Sequence, residues 1–236
     1  MIKLTSIIIF LLLNFLSSSV FAFGLKPLFA SLSPTGAGAE HVFRVTNTGD
    51  KPIAVQFSTT TREQKADGTE TQKAADDVFM IYPPQAVIAP NKTQKVRVQW
   101  LGKQNPSKEL AYRFIAEQVP VNLSKGKNSG VQMVMTVVGS IYIAPKGVQP
   151  KLSISGLRHS GNRLVFSVQN SGTKHALLDN LKIDLSGKGQ TVQLSGKQVA
   201  EIEGKNILAG AHRELSIAYP AGVAIDNNWS ARLSFN

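Results

Sequence analysis

Apolar and polar residues alternate with a period of two along most of this chain, and amphipathic helical spacing is hard to find. His41 to Asn47 predicts a strand, closed by the turn signal Asn47-Thr48-Gly49-Asp50. Ile53 to Thr60 predicts the next, with Ile53, Val55 and Phe57 on one face and Ala54, Gln56 and Ser58 on the other. Lys65 to Thr69 reads as a hairpin tip, and Val78 to Tyr82 as a short apolar run halted by Pro83-Pro84. From Gln94 to Trp100, Val96, Val98 and Trp100 face one way while Lys95, Arg97 and Gln99 face the other. Glu109 to Val119 and Gly130 to Ala144 are longer strands. Strands at this density, with turns roughly every 8–12 residues, predict an Ig-like β-sandwich.

After the Pro- and Gly-containing joint Pro145 to Pro150 the pattern restarts in shorter strands. These are Lys151 to Ile154, Arg163 to Gln169, Leu177 to Leu185, Thr191 to Leu194, His212 to Ala218 and Ser230 to Phe235. The expected fold class is therefore all-β, with a first domain over 23–146 and a smaller β-sandwich over 147–236. No strong internal repeat or low-complexity tract stands out.

Residues 1–22 have the three-part layout of a secretory signal: Lys3, an apolar core from Ile7 to Leu16, and small residues before a cut after Ala22. The apolar core is short for a membrane span, so an uncleaved anchor is the lesser reading, and an exported soluble protein beginning near Phe23 is expected. Lys and Arg number 26 against 15 Asp and Glu, a formal net charge of +11. The basic residues are scattered rather than gathered on one helix or interleaved with aromatics, which argues for a solvated basic surface and against nucleic acid. Cysteine is absent, which excludes disulfides, thiolate metal sites and cysteine nucleophiles.

Catalytic groupings are scarce. His41, His159, His175 and His212 form no metal-ligand pair of helical or finger spacing, and histidines in loops are expected to be plain surface residues. There is no Gly-x-Ser-x-Gly elbow, and Gly36-Ala37-Gly38 lacks the strand–helix setting of a phosphate loop. Asp76-Asp77 and Glu201 with Glu203 are acids expected to be solvated. No enzyme activity, cofactor or metal is expected. The unusual feature is the last strand of the first domain. Val131, Met133, Met135 and Val137 point one way, Gln132, Val134, Thr136 and Val138 the other, so both faces are largely apolar beside the polar stretch Ser124 to Gly130. Core burial accounts for one such face; an edge strand offering side chains to another protein accounts for both. The residues alone leave the two open.

Several motifs in sequence order resemble the periplasmic pilus-assembly chaperones of chaperone–usher systems. They are Val45-Thr46-Asn47-Thr48-Gly49-Asp50, Tyr82-Pro83-Pro84, the Ile88 to Val98 turn and arginine-bearing strand, Glu109 to Pro120, and the apolar strand ending Ile141-Tyr142-Ile143-Ala144-Pro145. The resemblance implies two Ig-like domains set as an L around an inter-domain cleft. It implies a periplasmic protein that binds pilin subunits by donor-strand complementation through Val131, Met133, Met135 and Val137 and delivers them to an outer-membrane usher without ATP or metal. Self-association through the same apolar edge is a further expectation. The rival readings are a structural Ig-like cell-surface protein or a pilus subunit, and a secreted carbohydrate-binding or hydrolytic β-sandwich.

In the best-studied members of that family an Arg on the first strand and a Lys on the lent strand hold the subunit's terminal carboxylate. Gly36 or Ser31, and Ser140, stand at the matching places here. That departure resembles the archaic and alternative branch, and makes Arg113 the expected carboxylate anchor, with Lys26 and Lys151 as further candidates; the alternative for Arg113 is a pairing within its own sheet. The resemblance also implies inter-domain structural charges at Arg97, Glu109 and Asp226, with Ala144 in place of a family arginine, and a cis bond before Pro84.

Overall fold

The computed structural model describes residues 23–120, 134–223, 225 and 228–235, the last of these without its side chain. The described residues contain strands and three short 3₁₀ turns, with no α-helix. In the first half the strands are β1 (Phe23–Lys26), β2 (Phe29–Leu32), β3 (Glu40–Asn47), β4 (Ile53–Thr61), β5 (Glu63–Gln64), β6 (Glu70–Thr71), β7 (Phe79–Tyr82), β8 (Gln85–Ile88), β9 (Lys92–Trp100), β10 (Leu110–Val119) and β11 (Thr136–Ile143). They form a four-stranded sheet, β1-β3-β9-β7, and a five-stranded sheet, β2-β11-β10-β4-β8, with β5 and β6 as a separate ribbon.

Period-two alternation sends Phe43, Val45, Val96 and Val98 from one sheet and Val55, Phe57, Phe114, Ile141 and Ile143 from the other into a single core. Phe114 stacks on Phe43 with ring centroids 4.5 Å apart and on Phe57 at 5.9 Å. The first strand is divided between the sheets: β1 pairs antiparallel with β3, and β2 pairs parallel with β11. Lys26–Pro27 between them is a cis peptide. Among the described residues the other cis bond is Tyr82–Pro83, which corrects the expectation of one before Pro84.

The second half holds β12 (Leu152–Ser160), β13 (Arg163–Asn170), β14 (Ala176–Leu177), β15 (Leu181–Gly187), β16 (Gln190–Ser195), β17 (Asn206–Ile207), β18 (His212–Ala218) and β19 (Ser230–Phe235). Two three-stranded sheets, β12-β13-β18 and β16-β15-β19, enclose a second core that includes Leu164, Phe166, Ile183, Leu185 and Ile217. The expected strand from Leu177 to Leu185 is broken, because β14 pairs with β17 before the chain turns at Asn180, whose φ is +53°.

Although no repeat stands out in the sequence, the halves share a turn. Val45-Thr46-Asn47-Thr48-Gly49 and Val168-Gln169-Asn170-Ser171-Gly172 follow one pattern. The Asn47 amide donates to Lys51 O and Ile88 O while its Oδ1 accepts from Gly49 N. Asn170 donates to Lys174 O and Ile207 O and accepts from Gly172 N. Both asparagines are buried, so each amide supplies partners that water cannot.

Candidate functional site

The N-terminal end of β11 is an open edge. β10 pairs with it along its whole length, Glu117 opposite Thr136 through Leu110 opposite Ile143. On the other side β2 pairs only from Ser140, opposite Phe29, to Ile143, opposite Leu32. Gln118 N donates to Met135 O, so odd-numbered residues of β11 turn their backbone groups to β10 and even-numbered ones turn theirs away. Ser140 N, pointing away, donates to Leu28 O. The N–H and C=O of Thr136 and Val138 point the same way, and no backbone partner meets them among the described residues.

Side chains on this strand grade out of the core. Ile143 and Ile141 are fully buried, Gly139 is buried, and Val137 and Met135 only partly cover the first core. Met135 and Val137 thus lie on the inward row, and the exposed apolar residues of the segment are Val134 and Val138 on the opposite face, each 43% exposed. Val131 and Met133 fall outside the described residues; in sequence they share the parity of Met135.

Across the five-stranded sheet, Phe29, Ser140, Arg113 and Thr60 stand side by side in register on the outward face. Phe29 is 68% exposed. Arg113 donates through Nε and Nη2 to the two carboxylate oxygens of Glu70, at 2.9 and 2.7 Å, and through Nη1 to Ser140 Oγ at 2.7 Å. Glu70 Oε1 also accepts from Arg62 Nε at 2.7 Å, and Arg62 Nη1 donates to Tyr142 Oη at 2.8 Å. Burial opposes the Glu70 charge most strongly, but the bonds from Arg113 and then Arg62 outweigh it and hold the carboxyl below its ordinary range. Arg113 therefore has a carboxylate partner within the first half, contributed by β6. That long-range pairing, 43 residues apart in sequence, carries no local signal.

The same cluster is the seam between the halves. Asn206 Nδ2 donates to Tyr142 Oη at 2.7 Å, Gln64 binds Asn206 O and Leu208 N, and Glu214 N donates to Ala66 O. Arg213 packs so closely on Gly68 that a Cβ there would stand 2.1 Å from its Nη2. Buried Glu109 accepts from His175, whose ring stacks on Tyr142. His175 is thus enclosed at the joint, where a plain surface histidine was expected.

The remaining expected residues lie elsewhere. Arg97 is on the exposed outward face of the four-stranded sheet, 3.8 Å from Glu40, which corrects its assignment to the joint: β9 lies in the sheet whose outward face turns from the seam. Lys26 is exposed on β1, opposite Arg44, and so belongs to the sheet across the core from Arg113. Lys151 is exposed at the start of the second half, its backbone N–H bonded to Asn170 Oδ1. Asp226 falls outside the described residues. Asp76, expected to be solvated, instead accepts from Thr59 N and Oγ1.

A family model described as pili and flagellar-assembly chaperone, PapD N-terminal domain, matches residues 32–149. The chain belongs to this family. This chaperone also resembles solved structures along most of its length. A chain of the CsuC–CsuE chaperone–tip adhesion subunit pre-assembly complex, from the archaic chaperone–usher Csu pili of Acinetobacter baumannii, is 17% identical with a TM-score of 0.60, covering 86% of this chain and 90% of its own. The class 5 fimbriae chaperone CfaA is 15% identical with a TM-score of 0.59, covering 91% and 100%. The E. coli chaperone DraB is 20% identical with a TM-score of 0.55, covering 86% of each chain. At these identities the likeness is one of fold, and both sandwiches are Ig-like. A comparison with curated protein sequences returns no match.

Proposed function

We propose that this chaperone works in the periplasm, binding pilin subunits by donor-strand complementation and handing them to an outer-membrane usher. In this reading residues 1–22 are a cleaved signal, 23–146 the strand-lending domain and 147–236 a second domain that completes the site. The lent row is Val131, Met133, Met135 and Val137; Met135 and Val137 continue the inward row of Gly139, Ile141 and Ile143, and Val131 and Met133 share its parity in sequence. A subunit lacking its last strand receives that row as the missing part of its own core, which stabilises the pair by roughly 1.5–3 kcal/mol for each side chain fully buried.

One observation carries this reading: the unpaired edge of β11 ends at Ser140, where β2 takes over. A strand added alongside Thr136 and Val138 has to stop there, and Arg113 stands beside the stopping point. Arg113 therefore suits a chain terminus rather than a passing strand. If that terminus is the subunit's carboxylate, the added strand runs in the same direction as β11, in line with β2. Lys26 and Lys151 are secondary candidates for the same carboxylate. The open edge also gives the free chaperone a surface for pairing with a second copy.

The test is periplasmic co-expression with a pilin from the same genome, comparing wild type with Met133→Asp/Met135→Asp. A stoichiometric pilin with the wild type and none with the double variant, still folded by circular dichroism, supports strand donation. Undiminished binding by the variant refutes it.

A further inference from the structure

We propose that Ser140 is a second ligand for the subunit's terminal carboxylate and that Glu70 positions Arg113 to share in holding it. The inference rests on the seating of that carboxylate at Arg113 proposed above.

The donor inventory of the row leads to it. A guanidinium carries five N–H groups, and Arg113 commits three of them: Nε and one hydrogen of Nη2 to Glu70, one hydrogen of Nη1 to Ser140 Oγ. One hydrogen remains on each Nη nitrogen. Ser140 Oγ, by accepting from Arg113, turns its own hydrogen elsewhere, and no described group accepts it. Ser140 and Arg113 are cross-strand neighbours on one outward face, so these three spare hydrogens belong to one patch, walled on its far side by exposed Phe29. A carboxylate, with two oxygens and about four lone-pair sites, matches such a set.

The charge balance agrees. Three guanidiniums, those of Arg62, Arg113 and Arg213, surround the single carboxylate of Glu70, with Asp67 and Glu214 at the outer end of the ribbon. Arg213 Nε is buried without a partner. The hydroxyl at position 140 adds no charge of its own, so the site stays cationic through the arginines and Ser140 contributes a directed hydrogen bond.

Glu70 is a positioner rather than a rival occupant because of how it is held. It sits on β6, bonded to both Arg62 and Arg113, in a ribbon whose tip is joined to the second half by Glu214 N and Ala66 O. It takes the Nε hydrogen and one Nη2 hydrogen of Arg113, and leaves one hydrogen on each Nη nitrogen for another acceptor. Side-chain exposures fit this: 7% at Arg62 and 21% at Arg113.

The experiment titrates wild type, Ser140→Ala, Glu70→Ala and Glu70→Gln with a pilin from the same genome, made once with its native C-terminal carboxylate and once as the C-terminal amide. Ser140→Ala and Glu70→Ala are expected to weaken binding of the native form by roughly tenfold and of the amide by less than twofold, as loss of a charge-assisted hydrogen bond would. Glu70→Gln, which keeps an acceptor for Arg113, should fall between wild type and Glu70→Ala. Equal losses for both pilin forms would make these residues merely structural and overturn the proposal. Tighter binding by the Glu70 variants would overturn it too, by making Glu70 a competitor. A wild type that binds acid and amide equally would refute the carboxylate seating itself, whereas selective wild-type binding with an unaffected Ser140→Ala refutes only the present inference.

Discussion

Glu109 and His175 join the two halves of this chaperone through a carboxylate–imidazole contact of 2.6 Å between Oε1 and Nδ1. The same oxygen accepts the His175 backbone N–H at 3.0 Å. The imidazole lies on the Tyr142 ring, centroids 4.0 Å apart and planes 13° from parallel, and the Tyr142 hydroxyl accepts from Arg62 and Asn206. A run of contacts thus leads from the seam to Glu70 and Arg113. The angle between the halves and the aim of Arg113 are fixed by one polar cluster.

Removing the carboxylate from that seam should loosen it. Glu109→Ala is expected to cost about 1–3 kcal/mol in urea unfolding, because it strips the His175 N–H and ring of their buried acceptor. Limited proteolysis near Pro145 to Pro150 should speed up in parallel. An unchanged unfolding midpoint would contradict the seam's role.

The paired turns make a second prediction. Asn47→Ala and Asn170→Ala each delete three or more side-chain hydrogen bonds, among them the buried ones to Ile88 O and Ile207 O. Each should destabilise its half by about 2–4 kcal/mol, read by thermal and chemical denaturation. Asp at either position keeps the acceptor but loses the donors, and should recover only part of the loss.

Glu70 predicts a pH dependence. Its carboxyl is held below its ordinary value of about 4.5, so the stability it contributes is fully present above that pH and lost as pH falls through the lower folded-state value. Wild type should therefore exceed Glu70→Gln in stability by a constant margin from neutrality down to about pH 5, and the margin should shrink below about pH 4.5. Denaturation midpoints across that range check it; a margin that persists at pH 3 would contradict the Arg62–Glu70–Arg113 linkage.

Local alternation made most strands legible from sequence. Gln94 to Trp100 sends Val96, Val98 and Trp100 inward as its pattern predicts, and the Lys65 to Thr69 tip closes with Lys65 N bonded to Thr69 O. Less legible was the division of the first strand into β1 and β2, because four-residue strands give too few alternations to read. The site was legible only where one residue decided it. Arg113 could be singled out by the strand it sits on, but its partner Glu70 comes from a distant ribbon, and the enclosure of His175 depends on Glu109, 66 residues away. Arg97 was assigned to the joint by resemblance alone, and the alternation of its strand gives its outward face without saying which sheet that face belongs to.

The central claim is that a subunit strand pairs with the open edge of β11, and amide hydrogen exchange at Thr136 and Val138 tests it most directly. In the free chaperone these two amides, which face away from β10, should exchange far faster than that of Ser140, which is bonded to Leu28 O. In the purified complex with a pilin they should become as protected as Ser140. A stable complex in which Thr136 and Val138 still exchange as in the free protein would contradict strand donation.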